Sequence, residues 1–452
     1  MEVIKNNVSL EATPTSDTHL VNKGYVDKKI SNNLILVSPN GTKYEITVDD
    51  DGNLSTKTPT ETTEDENVTV ESTNNVFVFA PTSSNPTIKL VNDTGGDETE
   101  WDGVTDWGDG TSDTSLTHTY STAGTYEVKT RYLINNTSDG DGDYYTQCQL
   151  TDCKGLNSNI TNCDYMFYGC LYVTSLDFSN VNLAKITSMK NMFYGCRRLT
   201  AINLSGLHTS KVTNMSRLFY NCCALTEIDV SSLDTSNVVD MTSMFHLCRE
   251  LTSINGLNKF NTSKVISMAA MFNACNKLVD LELSSFDTSN VTTMARMFNS
   301  CSSLTSLYLQ HFNTSNLLQL DSMFHDCTYL AYVNIDGWDL SKVTTMNRMF
   351  SNCNALATIS ANNVTVASSV TTMDNMFSYT SITNVDFLTS PVCTNFDYMF
   401  NGSKASGSIS CRNLTIPTGA TTTSMFGGKA AIVGSNFGRT ANQVNASSLT
   451  VA

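Results

Sequence analysis

Met189-Lys190-Asn191-Met192-Phe193-Tyr194-Gly195-Cys196, followed by Leu199, Ile202 and Leu204, is the stretch that decides the fold. Its Met-Phe pair recurs as Met-Phe or Leu-Phe at Phe167, Phe193, Phe219, Phe245, Phe272, Phe298, Phe324, Phe350, Phe377, Phe400 and Phe426. Successive gaps are 26 or 27 residues, with one of 23 between Phe377 and Phe400. A period kept this regularly marks a solenoid, in which each coil contacts only its neighbours. Such a stack presents a long face, which suits holding a partner more than converting a substrate.

Met189, Met192, Phe193 and Cys196 stand at i, i+3, i+4 and i+7, the spacing of one apolar face of a short helix. Leu199–Leu204, with Ile202 and Leu204 in alternation, predicts a short strand with one buried face. The polar run Ser205–Thr213 returns the chain to the next coil, with Ser210 or Thr213 placed to cap its helix. One coil cannot bury its apolar side alone. Stacking sets Met on Met, Phe on Phe and Leu on Leu, and pairs the strands in parallel at about 4.8 Å, so that the whole stack spans about 50 Å. Each buried Phe or Leu contributes about 1.5–3 kcal/mol before conformational entropy is subtracted, enough in sum for the stack to fold by itself.

The Met-Phe-x-x-Cys-x-x-Leu pattern is close in eight coils, for example Phe193 with Cys196 and Leu199, Phe298 with Cys301 and Leu304, and Phe350 with Cys353 and Leu356. Asp-Thr-Ser-Asn-Val segments accompany it at Asp234–Val238 and Asp287–Val291. Together these residues resemble the BspA-type leucine-rich repeat over most of the C-terminal two thirds of the chain. Thr380, Ser403 and Lys429 replace the cysteine in the last three coils, as terminal coils diverge when they cap a stack. The resemblance implies a leucine-rich-repeat solenoid that serves as an adhesion or recognition surface and not as an enzyme.

At 452 residues the chain is expected to hold more than one domain. Residues 1–150 hold 25 acidic and 9 basic side chains, a balance of −16, whereas residues 151–452 hold 18 of each. Neither part has the positive field of a nucleic-acid binder. Eight of the 14 cysteines, Cys170, Cys196, Cys222, Cys248, Cys275, Cys301, Cys327 and Cys353, fall once per coil on the apolar face. That arrangement predicts a ladder of buried thiols, with stacked disulfides as the alternative. Cys148, Cys153 and Cys163 lack the paired spacing of a zinc ribbon and are expected to form a structural cap, with a metal site as the alternative. Cys223, Cys393 and Cys411 are expected to be packing residues. Met1–Leu10 contain no basic segment followed by an apolar one, and no long apolar run occurs, so neither an export signal nor a membrane span is expected.

Upstream of the repeats, Trp107-Gly108-Asp109-Gly110-Thr111 forms a tight turn, followed by His118-Thr119-Tyr120 and Gly124-Thr125-Tyr126-Glu127-Val128. Val76–Phe79, Ile88–Leu90 and Tyr126–Arg131 predict strands. This segment is similar to the PKD-type domain, an immunoglobulin-like β-sandwich that implies a spacer or interaction module. Pro14–Ile30, with Tyr25-Val26-Asp27, resembles the leader of bacteriophage fibre proteins, in which an extended segment opens a short, often trimeric helix. Val26, Ile30 and Leu34 supply one apolar seam. An ordinary N-terminal arm is the alternative. Leu34–Lys57 alternates as a hairpin about Pro39-Asn40-Gly41, and the Thr/Glu-rich Thr56–Thr73 predicts a linker. Two acidic turns, Asp49–Asn53 and Asp139–Asp143, invite calcium. The second departs from an EF-hand loop, with Tyr144 at the glycine position and Leu150 at the final glutamate position, so a solvated loop is expected at both.

The expected organisation is multidomain: an attachment segment at 1–58, a linker at 59–73, an all-β Ig-like sandwich at 74–147, a leucine-rich-repeat solenoid of short parallel strands and short helices at 148–427, and a cap or tail at 428–452. These parts point to a non-enzymatic virion structural protein, assembled in the host cytoplasm as a homotrimer. It would attach to other virion proteins through 1–58 and turn the solenoid toward a host surface protein or carbohydrate. The alternative is a bacterial cell-surface adhesin. His19, His118, His208, His246, His311 and His325 are scattered, and no nucleophile elbow, zinc pair or phosphate loop occurs. No cofactor is expected, with calcium the exception left open. Tyr308, His311, Tyr329, Tyr332 and Trp338 form the most aromatic patch across neighbouring coils and are the candidate recognition residues, with packing against the adjacent coil as the alternative.

Overall fold

A computed structural model describes residues 2–3, 34–37, 43–48, 54–57, 75–81, 87–89, 104–130, 149–156, 158–365, 368–389, 391–405, 409–414, 416–427 and 432–433. The fibre-like leader, the linker, both acidic turns, Cys148 and Lys429 lie outside the described residues. The chain divides into two compact units, Met1–Thr69 and Val70–Ala452. In the first, Glu2–Val3, Leu34–Val37, Lys43–Val48 and Leu54–Lys57 form an antiparallel sheet in sequence order.

The second unit opens with a five-stranded sheet in the order Leu150–Gly155, Asn75–Phe79, Tyr126–Thr130, Thr105–Asp106, Ser112–Asp113. Thr87–Lys89 pairs separately with Thr117–Thr119. Phe77 lies opposite Val128 in the antiparallel register, and both are fully buried. The tight turn fastens this sheet. Trp107 is buried; its Nε1 donates to Asp113 Oδ1 at 3.0 Å, and its carbonyl accepts the Tyr120 hydroxyl at 2.8 Å. Gly108 has φ of 77°, and a Cβ there would lie 2.5 Å from the Glu127 carbonyl oxygen, so only glycine fits the turn. Leu150–Gly155, placed by sequence at the start of the solenoid, instead pairs with Asn75–Phe79. The sheet therefore runs beyond residue 147. Its core, through buried Cys153, Leu156 and Cys163, is continuous with that of the repeats.

The repeats form a leucine-rich-repeat-type solenoid of parallel coils. One ladder of parallel bridges runs through Asn162, Ser188, Asn214, Asp240, Ser267, Thr293, Gln319, Thr345, Thr372, Asn395 and Thr421. A second face carries short parallel strands, among them Ser175–Asp177 with Ala201–Asn203, Glu227–Asp229 with Ser253–Asn255, and Ser306–Tyr308 with Tyr332–Asn334 and Thr358–Ser360. Inside, the repeat phenylalanines stack from Phe167 to Phe426, ring on ring, with centroids 5.1–5.8 Å apart and interplanar angles of 12° or less. Each ring is held by its two neighbours, so the sequence period becomes a physical repeat.

The short helix expected in each coil is absent. Among the described residues the one helix is a 3-10 turn at Leu257–Lys259. The backbone supplies the reason. Each coil places two left-handed residues four apart, such as Asn191 (φ 56°) and Gly195 (φ 74°), or Arg217 (φ 55°) and Asn221 (φ 60°). A right-handed helix cannot continue through them. The amides then alternate in direction. Asn191, Phe193 and Gly195 donate to Ser216, Leu218 and Tyr220 of the next coil, while Met192, Tyr194 and Cys196 close tight turns onto Met189, Asn191 and Phe193. Consecutive turns of this kind put Met189, Met192, Phe193 and Cys196 on one side as a helix would. The apolar spacing was therefore correct for burial but did not distinguish the two backbones.

With no helix to cap, the polar return instead links coils. Thr235 Oγ1 donates to the Asn261 carbonyl at 3.0 Å, Asn237 Nδ2 to the Ser210 carbonyl at 2.7 Å, and Asp234 Oδ1 accepts the Ser236 amide at 2.9 Å. Thr288, Asn290 and Asp287 repeat these three roles. The Asp-Thr-Ser-Asn-Val segment is thus a device for satisfying backbone groups between coils.

Candidate functional site

The repeat cysteines face the interior. All eight are free and fully buried, and Cys196, Cys222, Cys248, Cys275, Cys301, Cys327 and Cys353 each donate a thiol hydrogen bond to the phenylalanine carbonyl of the preceding coil at 2.9–3.1 Å. Burial pushes the Cys248 and Cys301 thiols up to about 12 and Cys275 well above its ordinary value. Thiolate is the reactive form, so these groups are packing and hydrogen-bonding elements. Where the cysteine is lost, buried Thr380 turns its hydroxyl to the Phe377 carbonyl of its own coil at 2.8 Å. Thiol titration is expected to find few reactive groups in the native protein and all 14 in denaturant; eight or more in the native state would contradict the buried ladder. Replacing Cys275 by Ala is expected to lower stability by about 1–2 kcal/mol, through a small cavity and the loss of one thiol hydrogen bond, as read by urea denaturation.

The aromatic patch anticipated from sequence divides. Tyr308 and Tyr329 are 60% and 68% exposed, and Tyr332 packs against Tyr308 with ring centroids 5.6 Å apart. His311 is exposed, with Nε2 2.8 Å from the Leu283 carbonyl. Trp338 does not belong to this surface. It is fully buried, and its Nε1 donates to the Leu309 carbonyl at 2.9 Å, so it joins two coils from inside. The exposed remainder is a small, shallow group on the strand face.

A deeper feature lies on the turn face, which the sequence did not single out. Two columns of outward side chains run along it, one two residues before each repeat phenylalanine and one immediately after. Tyr168, Tyr194 and Tyr220 in the second column stack at 4.6 and 4.3 Å, and His246 meets Tyr220 edge-on at 4.6 Å. Arg217, Ser243, Ala270 and Arg296 occupy the first column in four successive coils, all left-handed. Together they line an open cleft of about 400 Å³ that also touches Asn191 and Asn273. Burial, and then the positive charges of Arg217 and Arg296, hold His246 down to about 4, so the imidazole is neutral at pH 7. Two guanidinium groups are therefore the cleft's net charge, and no carboxylate lines it.

Carboxylates elsewhere on the solenoid are engaged in turns. Hydrogen bonds from the Ser236 and Ser289 side chains and amides hold Asp234 and Asp287 below the ordinary carboxyl range. Among the described residues no group of three or more His, Cys, Asp or Glu is placed to hold a metal ion.

The family described as "Mycoplasma protein of unknown function, DUF285" matches residues 161–280, 247–363, 275–390 and 331–435, overlapping segments that run over more than half of the chain. The chain belongs to this family. The matched span is the stacked-coil region, so the family's repeats are the coils that carry both the cysteine ladder and the turn-face cleft. Among solved structures, a leucine-rich repeat protein from Eubacterium ventriosum ATCC 27560 is similar at 15% identity, covering 51% of this chain and 82% of that one, with a TM-score of 0.24. The functional domain of InlJ from Listeria monocytogenes, described as including a cysteine ladder, is similar at 16% identity over 63% of this chain and 76% of that one, with a TM-score of 0.15. At these TM-scores neither bears on the site. No curated protein matches.

Proposed function

We propose that this chain is a non-enzymatic, BspA-type repeat protein whose solenoid is a recognition surface for adhesion, carried on a bacteriophage particle by its N-terminal segment. The observation that supports recognition is the division of labour within each coil. Phenylalanine, cysteine, methionine and leucine build an interior that hardly varies, while the outward columns change from coil to coil under the same backbone. The fold requires only the left-handed conformation at the first column, so its side chains are free to be set by a partner. The support for a particle is the fibre-like phrase at Pro14–Ile30, which also suggests a homotrimer. The PKD-like segment between them would set reach, and binding needs no cofactor.

A second reading is a bacterial cell-surface adhesin, favoured by the family's description as a Mycoplasma protein. Removing residues 1–58 separates the two. Under the particle reading, purified particles carry the full chain and lose it when 1–58 are deleted, while removal of the solenoid leaves incorporation intact and abolishes attachment to host cells. Particles that still carry the deleted chain would sink the assignment of attachment to 1–58. Absence of the full chain from particles, with the chain found on bacterial cells, would establish the second reading.

A further inference from the structure

We propose that the turn-face cleft that holds Arg217 and Arg296 binds an acidic saccharide, with one sugar carboxylate drawn to each guanidinium group. This rests on the reading of the solenoid as a recognition surface and names the ligand class for it.

The first argument is charge. Arg217 and Arg296 are exposed and line one cleft, and no acidic residue lines it with them. Among the described residues neither has an ion-pair partner. Two unopposed guanidinium groups at one cleft of a solenoid whose charges otherwise balance select for an anion. A guanidinium fork matches a carboxylate with two parallel hydrogen bonds, and fixes its orientation as a single ammonium would not.

The second argument is spacing. Arg217 and Arg296 belong to the same column three coils apart, which at the spacing of parallel strands is about 14 Å. The two residues between them in that column, Ser243 and Ala270, are the small ones that leave the space open. The whole cleft, which also runs past Arg217 over Tyr165, Tyr168, Asn191 and Tyr194, measures about 400 Å³, at the lower end of the range of small-ligand sites, about 300–1,000 Å³. An extended chain of two or three rings running along the solenoid axis reaches from one guanidinium to the other.

The third argument separates a saccharide from an acidic peptide. The floor and wall are built from the tyrosine ladder, neutral His246, Ser243 and Asn273. These are hydroxyl, amide and imidazole groups, which can both donate and accept, and so match a ligand rich in hydroxyls. An acidic peptide would instead present apolar side chains and backbone amides, for which the cleft has no apolar pocket and no free strand edge, its backbone being already paired coil to coil.

The test uses the full chain and measures binding of a short oligogalacturonate by calorimetry at low salt. Its methyl ester supplies the neutral comparison and an oligoglutamate of equal charge the peptide comparison, with a sulfated glucan as a second anionic sugar. Oligogalacturonate is expected to bind at least about tenfold more tightly than the methyl ester or oligoglutamate. The double variant R217Q/R296Q is expected to lose that binding at an unchanged melting temperature, because both side chains are exposed. Equal binding of oligoglutamate, retention of binding by the double variant, or no binding of oligogalacturonate would each overturn the proposal. Tighter binding of the sulfated glucan would overturn the carboxylate assignment. The parent reading is scored separately on cells. If the full chain attaches to cells and R217Q/R296Q attaches equally, the solenoid is a recognition surface that does not use this cleft. If the full chain attaches to no cell, the recognition reading itself fails.

Discussion

The solenoid is expected to lose stability steeply once the pH rises past 9. The cause is the cysteine ladder. Burial raises Cys222, Cys275 and Cys327 well above the ordinary thiol value of 9.0, and Cys248, Cys301 and Cys353 are also raised. A thiol whose folded pKa lies above its unfolded one holds its proton in the folded state while the unfolded chain releases it. Its contribution is fully present below the unfolded value and is lost as pH climbs through the interval up to the folded value. Each such thiol withdraws about 1.4 kcal/mol per pH unit in that window, so six together withdraw on the order of 8 kcal/mol by about pH 10. That is comparable with the whole stability of an ordinary domain, about 5–15 kcal/mol. Tyr120 joins only above its ordinary value of 10.0. Urea midpoints recorded at intervals from neutrality to about pH 10 check this. Cys153, Cys163, Cys393 and Cys411 are raised as well, so the variant C222A/C248A/C275A, less stable at neutrality, should show about two thirds of the slope. A midpoint that stays flat to pH 10, or an equal slope in the variant, would refute the ladder as the source.

The interior was legible in the sequence and the exterior much less so, for a physical reason. Burial follows from which residues share a side, and Met189, Met192, Phe193 and Cys196 share one whether the chain forms a helix or a run of tight turns. The distinction lay in the left-handed residues. Gly169 and Gly195 hinted at them, but Leu247, Ala270 and Ala274 adopt the same conformation with no such signal, because the next coil's carbonyls hold their amides there. Trp338 stands in the aromatic patch that the sequence offers either as a recognition surface or as packing against the adjacent coil; for this residue it is packing, its indole satisfying a carbonyl of the preceding coil from within. The turn-face cleft was missed because its residues stand about 26 apart in sequence. Aligning the coils on the phenylalanine would have brought Tyr168, Tyr194, Tyr220 and His246 into one column, and Arg217 and Arg296 into the other.

The stack also makes a sharp prediction about length. Deleting residues 273–298 removes one full coil and joins Phe272 to Asn299, Ser300 and Cys301, which occupy the positions of Asn273, Ala274 and Cys275. Every column keeps its register: phenylalanine still meets phenylalanine, the Cys301 thiol takes over the Phe245 carbonyl that Cys275 uses, and the Cys327 thiol finds the Phe272 carbonyl in place of that of Phe298. Such a chain is expected to fold, with its stability lowered by the loss of one nearest-neighbour interface. Deleting residues 273–285 removes half a coil and joins Phe272 to Phe286-Asp287-Thr288-Ser289. The inward cysteine position then carries Thr288, the next repeat phenylalanine follows after half a coil, and the amides of Phe272 and its neighbours face no matching carbonyls in the next coil. Each orphaned backbone group costs about 1–3 kcal/mol. The coils on either side cannot stack across the break, so the half-coil deletion is expected to melt at least the C-terminal coils and to expose many more thiols to titration. Circular dichroism and thiol counting on the two deletions distinguish the outcomes. Equal folding of both chains would show that the coils are not locked in register by their neighbours, and equal loss of folding would show that the solenoid is not a sum of interchangeable coils.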